Sequence, residues 1–241
     1  MLHNYILAII IISSTIVNSQ TGKFFDAPFG GGGGYVPSWY VPKVDEINNQ
    51  LKVLGIPEFS TSGLYASGGA GFIYIGFVKH LRLGGMGYSG AMSKSITQNG
   101  INKEAVYSIG GGGLTIEYTM PFIKDVGLSL GATIGSGTMS VELFNNSGTQ
   151  DWNNIWNKLE QGDNANSSKK LINSYWMFSP TLNFEFPLYR FVVFRLGVGY
   201  QLTFGDDWTY DNDQTLNNVP SGLNANSFFV QSGLFIGFFS F

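Results

Sequence analysis

Residues 225–241 read ANSFFVQSGLFIGFFSF, and counting back in twos from the last residue gives Phe241, Phe239, Gly237, Phe235, Gly233, Gln231 and Phe229. A strand sends alternate side chains to opposite faces, so one face of this segment is a row of aromatics relieved by glycine. A chain that buries such a face under a second layer would rarely finish on it. In a strand that faces lipid, an aromatic at the water boundary is the expected last residue. The first expectation is therefore that the Phe241 row faces lipid. The alternate row, Phe228, Val230, Ser232, Leu234, Ile236 and Phe238, would then face inward.

This ending resembles the C-terminal strand of bacterial outer-membrane β-barrels. The resemblance implies that Phe241, with Phe239 and Phe235 before it, is an assembly signal read by the barrel-assembly machinery. It further implies a location in the outer membrane, with that membrane's lipids as partners.

Composition agrees with that class. Only 12% of the residues are charged, against roughly 25% in globular proteins. Aromatics make up 15%, and there are 33 glycines. No stretch beyond the first residues is a continuous apolar run of helical membrane-spanning length. With no cysteine, disulfides and thiolate metal sites are excluded. A net charge of −3 argues against nucleic acid as a partner.

The chain opens MLHNYILAIIIISSTIVNSQ. Its apolar core is too short to span a bilayer, and Val17-Asn18-Ser19 suits a cleavage site. Residues 1–19 are expected to be an export signal, and residues 20–241 the mature barrel domain.

Between the two ends the period-2 alternation returns repeatedly. Strands are expected over residues 23–35, 62–76, 81–94, 104–122, 126–143, 172–186, 191–204 and 225–241. The five glycines Gly30 to Gly34 lack a following Gly-Lys-Ser/Thr, so they read as a bend or close approach in the wall, not a phosphate loop. Within residues 42–55, Val44, Ile47, Leu51 and Leu54 recur at helical spacing, with Pro42 before and Gly55 after. That predicts a short amphipathic helix in the first long loop, on the rim, across the lumen or at the membrane interface.

The connections set the architecture. Tight turns follow the second, fourth and sixth strands (residues 77–80, 123–125 and 187–190), and long connections follow the others. The fold class is thus all-β: a transmembrane antiparallel up-and-down barrel of 8 strands, or 10 if a glycine-rich segment splits. This resembles the OmpA/OmpX type. The tight turns would be periplasmic and the long loops outside, where Trp39, Trp152, Trp156 and Trp208 fall.

Turning the apolar rows outward puts Arg82, Glu117, Glu185 and Arg195 in the lumen, each a few residues from a tight turn. Two acids and two bases cancel, as charge buried in a narrow interior must. They would plug and brace the barrel, or form a constriction for a small solute. The apolar row of the last strand could instead offer a lipophilic ligand a surface in the lumen, or fill space left by glycines opposite.

No enzyme is expected. A general base near neutral pH needs histidine at the loop side, and only His3 and His80 are present, in the leader and at a tight turn. Asp206, Asp207, Asp211 and Asp213 cluster in GDDWTYDND, where they could take Ca²⁺ or be a solvated loop. Their spacing is not that of an EF-hand, and neither a metal nor a cofactor is expected. The loop aromatics would contact a surface ligand or anchor the barrel at the membrane surface.

Overall fold

In the computed structural model, the described residues are 29–121, 126–148, 151–160, 166–205 and 207–240. The expected export signal at 1–19, the start of the expected first strand, the expected turn at 123–125, Asp206 and Phe241 lie outside them.

The chain forms strands β1 (Phe29–Tyr35), β2 (Ser38–Pro42), β3 (Leu64–Tyr74), β4 (Leu81–Gln98), β5 (Ile101–Thr119), β6 (Gly127–Ser147), β7 (Ser167–Tyr189), β8 (Val192–Phe204), β9 (Trp208–Tyr210), β10 (Gln214–Thr215) and β11 (Ser227–Ser240). Two helices, α1 (Asp45–Leu54) and α2 (Trp152–Glu160), lie in the connections. Neither is long and apolar enough to cross a membrane.

Every pairing is antiparallel. β3 to β8 pair in sequence, β8 pairs β11, and β11 returns to β1 and β2, which pair β3. Closure removes the sheet edges and leaves a ring of eight strands, because β1 and β2 are one wall strand. Pro37, which has no N–H to give, interrupts it. The register to β11 and β3 is the same on both sides of the break. Val36 N–H donates to Gly68 O at 2.9 Å, and Ser232 N–H to Pro37 O at 3.0 Å, across the gap. The expectation that strand pattern stops at residue 35 is corrected accordingly. Neither glycine-rich segment splits into a ninth or tenth wall strand.

A second correction concerns the connection after β4. Gln98 pairs directly with Ile101, and Asn99 and Gly100 turn between them with φ of 51° and 76°. Paired positive φ values make this a two-residue hairpin turn, for which Asn-Gly is well suited. What looked like a loop is strand almost to its tip. β4, β5, β6 and β7 have 18, 19, 21 and 23 residues, about twice the roughly 9–11 that span a bilayer. They rise past the short strands as a projecting wall. β7 likewise runs on to Tyr189, so Pro187 sits at a strand irregularity and the turn is only residues 190–191.

The outer face carries Leu114, Ile116, Leu130, Ile134, Phe178, Phe184, Leu196 and Val198, all exposed. An uninterrupted apolar exterior on a closed barrel is the surface a bilayer covers. Trp176, paired with Phe204 and 70% exposed, stands toward the loop end of that band.

The last strand has the opposite facing from the one expected. Phe229, Gln231 and Phe235 are buried inside, whereas Phe228, Val230, Leu234, Ile236 and Phe238 are exposed to the exterior. Both rows are apolar, so hydrophobicity alone could not choose between them. Gln231 decides: its amide needs a polar partner, and inside the barrel its Nε2 donates to Asn183 Oδ1 at 2.9 Å. The lumen therefore receives Phe229, Gln231 and Phe235 in place of the row that the sequence suggested.

Candidate functional site

The interior is built in layers. Nearest the tight turns, Arg82 on β4 and Glu117 on β5 are direct cross-strand neighbours, as are Glu185 on β7 and Arg195 on β8. All four side chains are buried. Arg82 Nη1 donates to both Glu185 oxygens at 2.9 Å, and its Nη2 lies 3.3 Å from Glu117 Oε2. Arg195 donates from Nη1 to Glu117 Oε1 at 2.8 Å, and from Nη2 to Glu117 Oε2 at 3.1 Å and to Glu185 Oε1. Each guanidinium thus serves both carboxylates, and the ring ties strands that are not neighbours in the sheet. Gly131 makes the crossing possible, since a Cβ there would come 2.8 Å from Glu117 Cγ.

Aromatic rings cover the charges. Arg82 Cζ lies 4.7 Å from the Phe72 centroid, and Arg195 Cζ lies 4.5 Å from that of Phe235. Such cation–π contacts strengthen when water is excluded. Phe72 and Tyr74 alternate with outward Ile73, so strand parity could have found them; Phe235 was assigned to the other side of the wall.

Above the charges, Asn183 Nδ2 reaches Glu117 Oε1 at 3.4 Å while its Oδ1 accepts from Gln231. A void of about 20 Å³ lies here among Thr115, Thr133, Thr181 and Gln231. That is space for about one water.

The loop half of the interior is apolar and aromatic. Tyr40 stacks between Tyr88 and Phe229, with centroids 4.6 and 5.0 Å away. Tyr88 OH donates to Gln201 Oε1, and Gln201 Nε2 to Ala225 O at 3.0 Å. Helix α1 closes the mouth: Ile47 and Leu51, with Val44 just before the helix, join one buried cluster with Tyr107, Ile109, Met139 and Val141 from the inner wall. Of the three places open to this helix, it takes the one across the lumen. Asn48 fixes it there. Its Nδ2 donates to Phe59 O at 3.1 Å and its Oδ1 accepts from Phe59 N–H at 2.8 Å. Gly55 (φ 73°) ends the helix in the left-handed conformation, with Ile56 N–H returning to Leu51 O at 2.9 Å.

The described aspartates of the acidic loop take separate roles. Asp211 accepts from Lys169 Nζ at 2.6 Å and Lys170 N–H at 3.1 Å, pinning the β9–β10 hairpin to β7. The Lys169 hydrogen bond, then the Lys170 amide, hold the Asp211 carboxyl below its ordinary range. Asp213 occupies a positive-φ turn position, and Asp207 is exposed. Among the described residues, no three His, Asp or Glu side chains could hold a metal ion together.

The tryptophans divide. Trp152 and Trp156 on α2 are exposed and meet edge-on at 5.7 Å. Trp39 is exposed, with Nε1 donating to Ser62 O at 2.8 Å. Trp208, expected at the surface, is buried against the apolar cluster under the last loop.

No protein-family model matches the chain, and no curated protein does either. Among solved structures it is similar to the Ail attachment invasion locus protein of Yersinia pestis, in complex with the heparin analogue sucrose octasulfate. That match has 11% identity, covers 87% of this chain and 97% of that one, and has a TM-score of 0.44. A major outer membrane protein of Thermus thermophilus matches at 7% identity over 87% and 99%, with a TM-score of 0.48. The outer membrane protein OprG of Pseudomonas aeruginosa matches at 14% over 88% and 96%, with a TM-score of 0.40. The chain is an eight-stranded antiparallel β-barrel with the apolar exterior of a membrane-spanning barrel, an assignment that stands on its own closed register and exposed apolar rows.

Proposed function

We propose that this protein is a closed, non-enzymatic barrel that works through its loop-end face, in surface interaction or envelope integrity. One observation carries the reading. The Arg82–Glu117–Glu185–Arg195 ring crosses the interior, and the space beside it is only about 20 Å³. Helix α1 and the Tyr40–Tyr88–Phe229 stack fill the other half. A solute path would have to break a neutral, doubly bonded charge ring, and buried pairs of that kind are costly to separate. The projecting wall of β4 to β7, with α1, α2 and the loop at 205–226, remains as the surface able to meet a ligand.

Single-channel recording of the refolded barrel in a planar bilayer tests this. The expected trace is silent, with openings appearing only when Arg195→Ala and Glu185→Ala are combined. Steady openings of the unmodified chain would overturn the closed-barrel reading and make the ring a constriction for solutes.

A further inference from the structure

At the loop end, α1, the inner face of the projecting wall and the last loop do not meet completely. They leave an apolar groove of about 430 Å³. Its walls are Ile47 and Leu51 of α1, Leu143 of β6, Leu171 of β7, and Trp208 and Leu216 of the loop. The three walls are held apart independently. Asn48 clamps α1 through Phe59, the wall is a continuous ladder, and the loop is tied by Asp211 to Lys169 and by Leu216 N–H to Trp208 O at 2.8 Å. The groove is therefore a fixed feature of the fold. Its floor continues into the buried cluster that fills the upper barrel.

We propose that this groove is a binding site for a small, uncharged, mainly apolar molecule carrying one hydrogen-bonding group. The inference rests on the loop-end reading above and names the chemistry of its ligand. Size favours a small molecule, because ligand pockets run from roughly 300 to 1,000 Å³ and are lined mainly by apolar side chains with few polar groups. The rim supplies those groups: the carboxamides of Gln50, Asn217 and Asn218, with the carboxylate of Glu46. Among the described residues that line the groove there is no Lys or Arg, the Lys103 ammonium donates to Leu54 O at 3.0 Å, and Glu46 repels an anionic head. Three carboxamides can both donate to and accept from an alcohol or amide. Filling the groove removes apolar surface from water at Val53, Leu54, Leu143 and Leu216.

The test is titration of the barrel, in lipid nanodiscs and methyl-labelled at Ile, Leu and Val, with 1-octanol, and separately with octanoate. Saturable shifts are expected at Leu51, Leu143 and Leu216 but not at lipid-facing Leu130 and Ile134. Octanoate should bind at least about tenfold more weakly, because a carboxylate must be desolvated beside Glu46. Leu216→Trp, which fills the groove from the loop, should abolish saturation while heat-modifiable gel migration persists. Leu143→Phe, which fills it from the wall, should do the same. Shifts spread equally over groove and lipid-facing methyls would mean partitioning into the bilayer and would overturn the site. So would equal affinity for octanoate, or saturation that survives both filling variants. A silent conductance trace beside a failed titration removes the groove alone. Openings in that trace remove the closed-barrel reading beneath it.

Discussion

Arg82 reaches across the barrel to Glu185, giving Nη1 to both carboxylate oxygens at 2.9 Å, although β4 and β7 are not neighbours in the sheet. The bond closes a ring in which each arginine serves both glutamates. Its consequence is mechanical as well as electrostatic, since opposite sides of the wall are joined through the lumen.

Removing one member should therefore cost more than removing a pair. Glu185→Gln leaves two buried guanidiniums facing one carboxylate, and breaking such a pair costs about 3–5 kcal/mol. Arg82→Met combined with Glu185→Leu should cost clearly less than the sum of the single changes. Urea midpoints of gel-monitored unfolding check this, and additive losses would mean that the ring is not one unit.

Two wall glycines, inward Gly113 and outward Gly87, should respond in opposite ways. A Cβ on inward Gly113 would meet Gly135 Cα at 2.7 Å, whereas one on outward Gly87 has its nearest neighbour at 3.7 Å. Gly113→Ala should destabilise by about 1–3 kcal/mol through forced backbone shifts. Gly87→Ala should be neutral or stabilising by about 0.4–1 kcal/mol, because it restricts the unfolded chain. The same unfolding assay reads both, and equal losses would contradict the facing assigned here.

The lumen cap should depend on Asn48. Asn48→Ala strands the N–H and C=O of Phe59, at about 1–3 kcal/mol for each buried group left unsatisfied. The expected result is faster amide exchange across α1 and residues 56–60 while the barrel ladders remain protected. Unchanged exchange in α1 would show that apolar packing alone holds it.

The β9–β10 hairpin should loosen in acid. Asp211 has its pKa lowered in the folded state, chiefly by Lys169, so its contribution is present above the ordinary carboxylate value. That contribution is lost as pH falls through the lowered value. Amide exchange at Thr209 and Tyr210 should rise over that range in the native chain, and Asp211→Asn should remove the dependence. A variant with the same acid response would place the titrating group elsewhere.

In the sequence, the alternation of Leu114, Ile116 and Tyr118 with Thr115, Glu117 and Thr119 already separated exterior from interior on β5. It did so because only one of the two rows is apolar. The same logic placed Arg82, Glu117, Glu185 and Arg195 inside and at similar depth, since each lies a few residues from a tight turn. Where both rows are apolar, as in residues 228–239, strand periodicity has no sign, and the facing follows from what closure sets opposite the inner row: Asn183 for Gln231, Tyr40 for Phe229 and Arg195 for Phe235. Pairing across the lumen is likewise invisible in the chain, because Arg82 and Glu185 are brought together by barrel closure and not by hairpin register. The groove under α1 exists only once a helix, a projecting sheet and a loop, each far apart in sequence, are fixed around one shared apolar core.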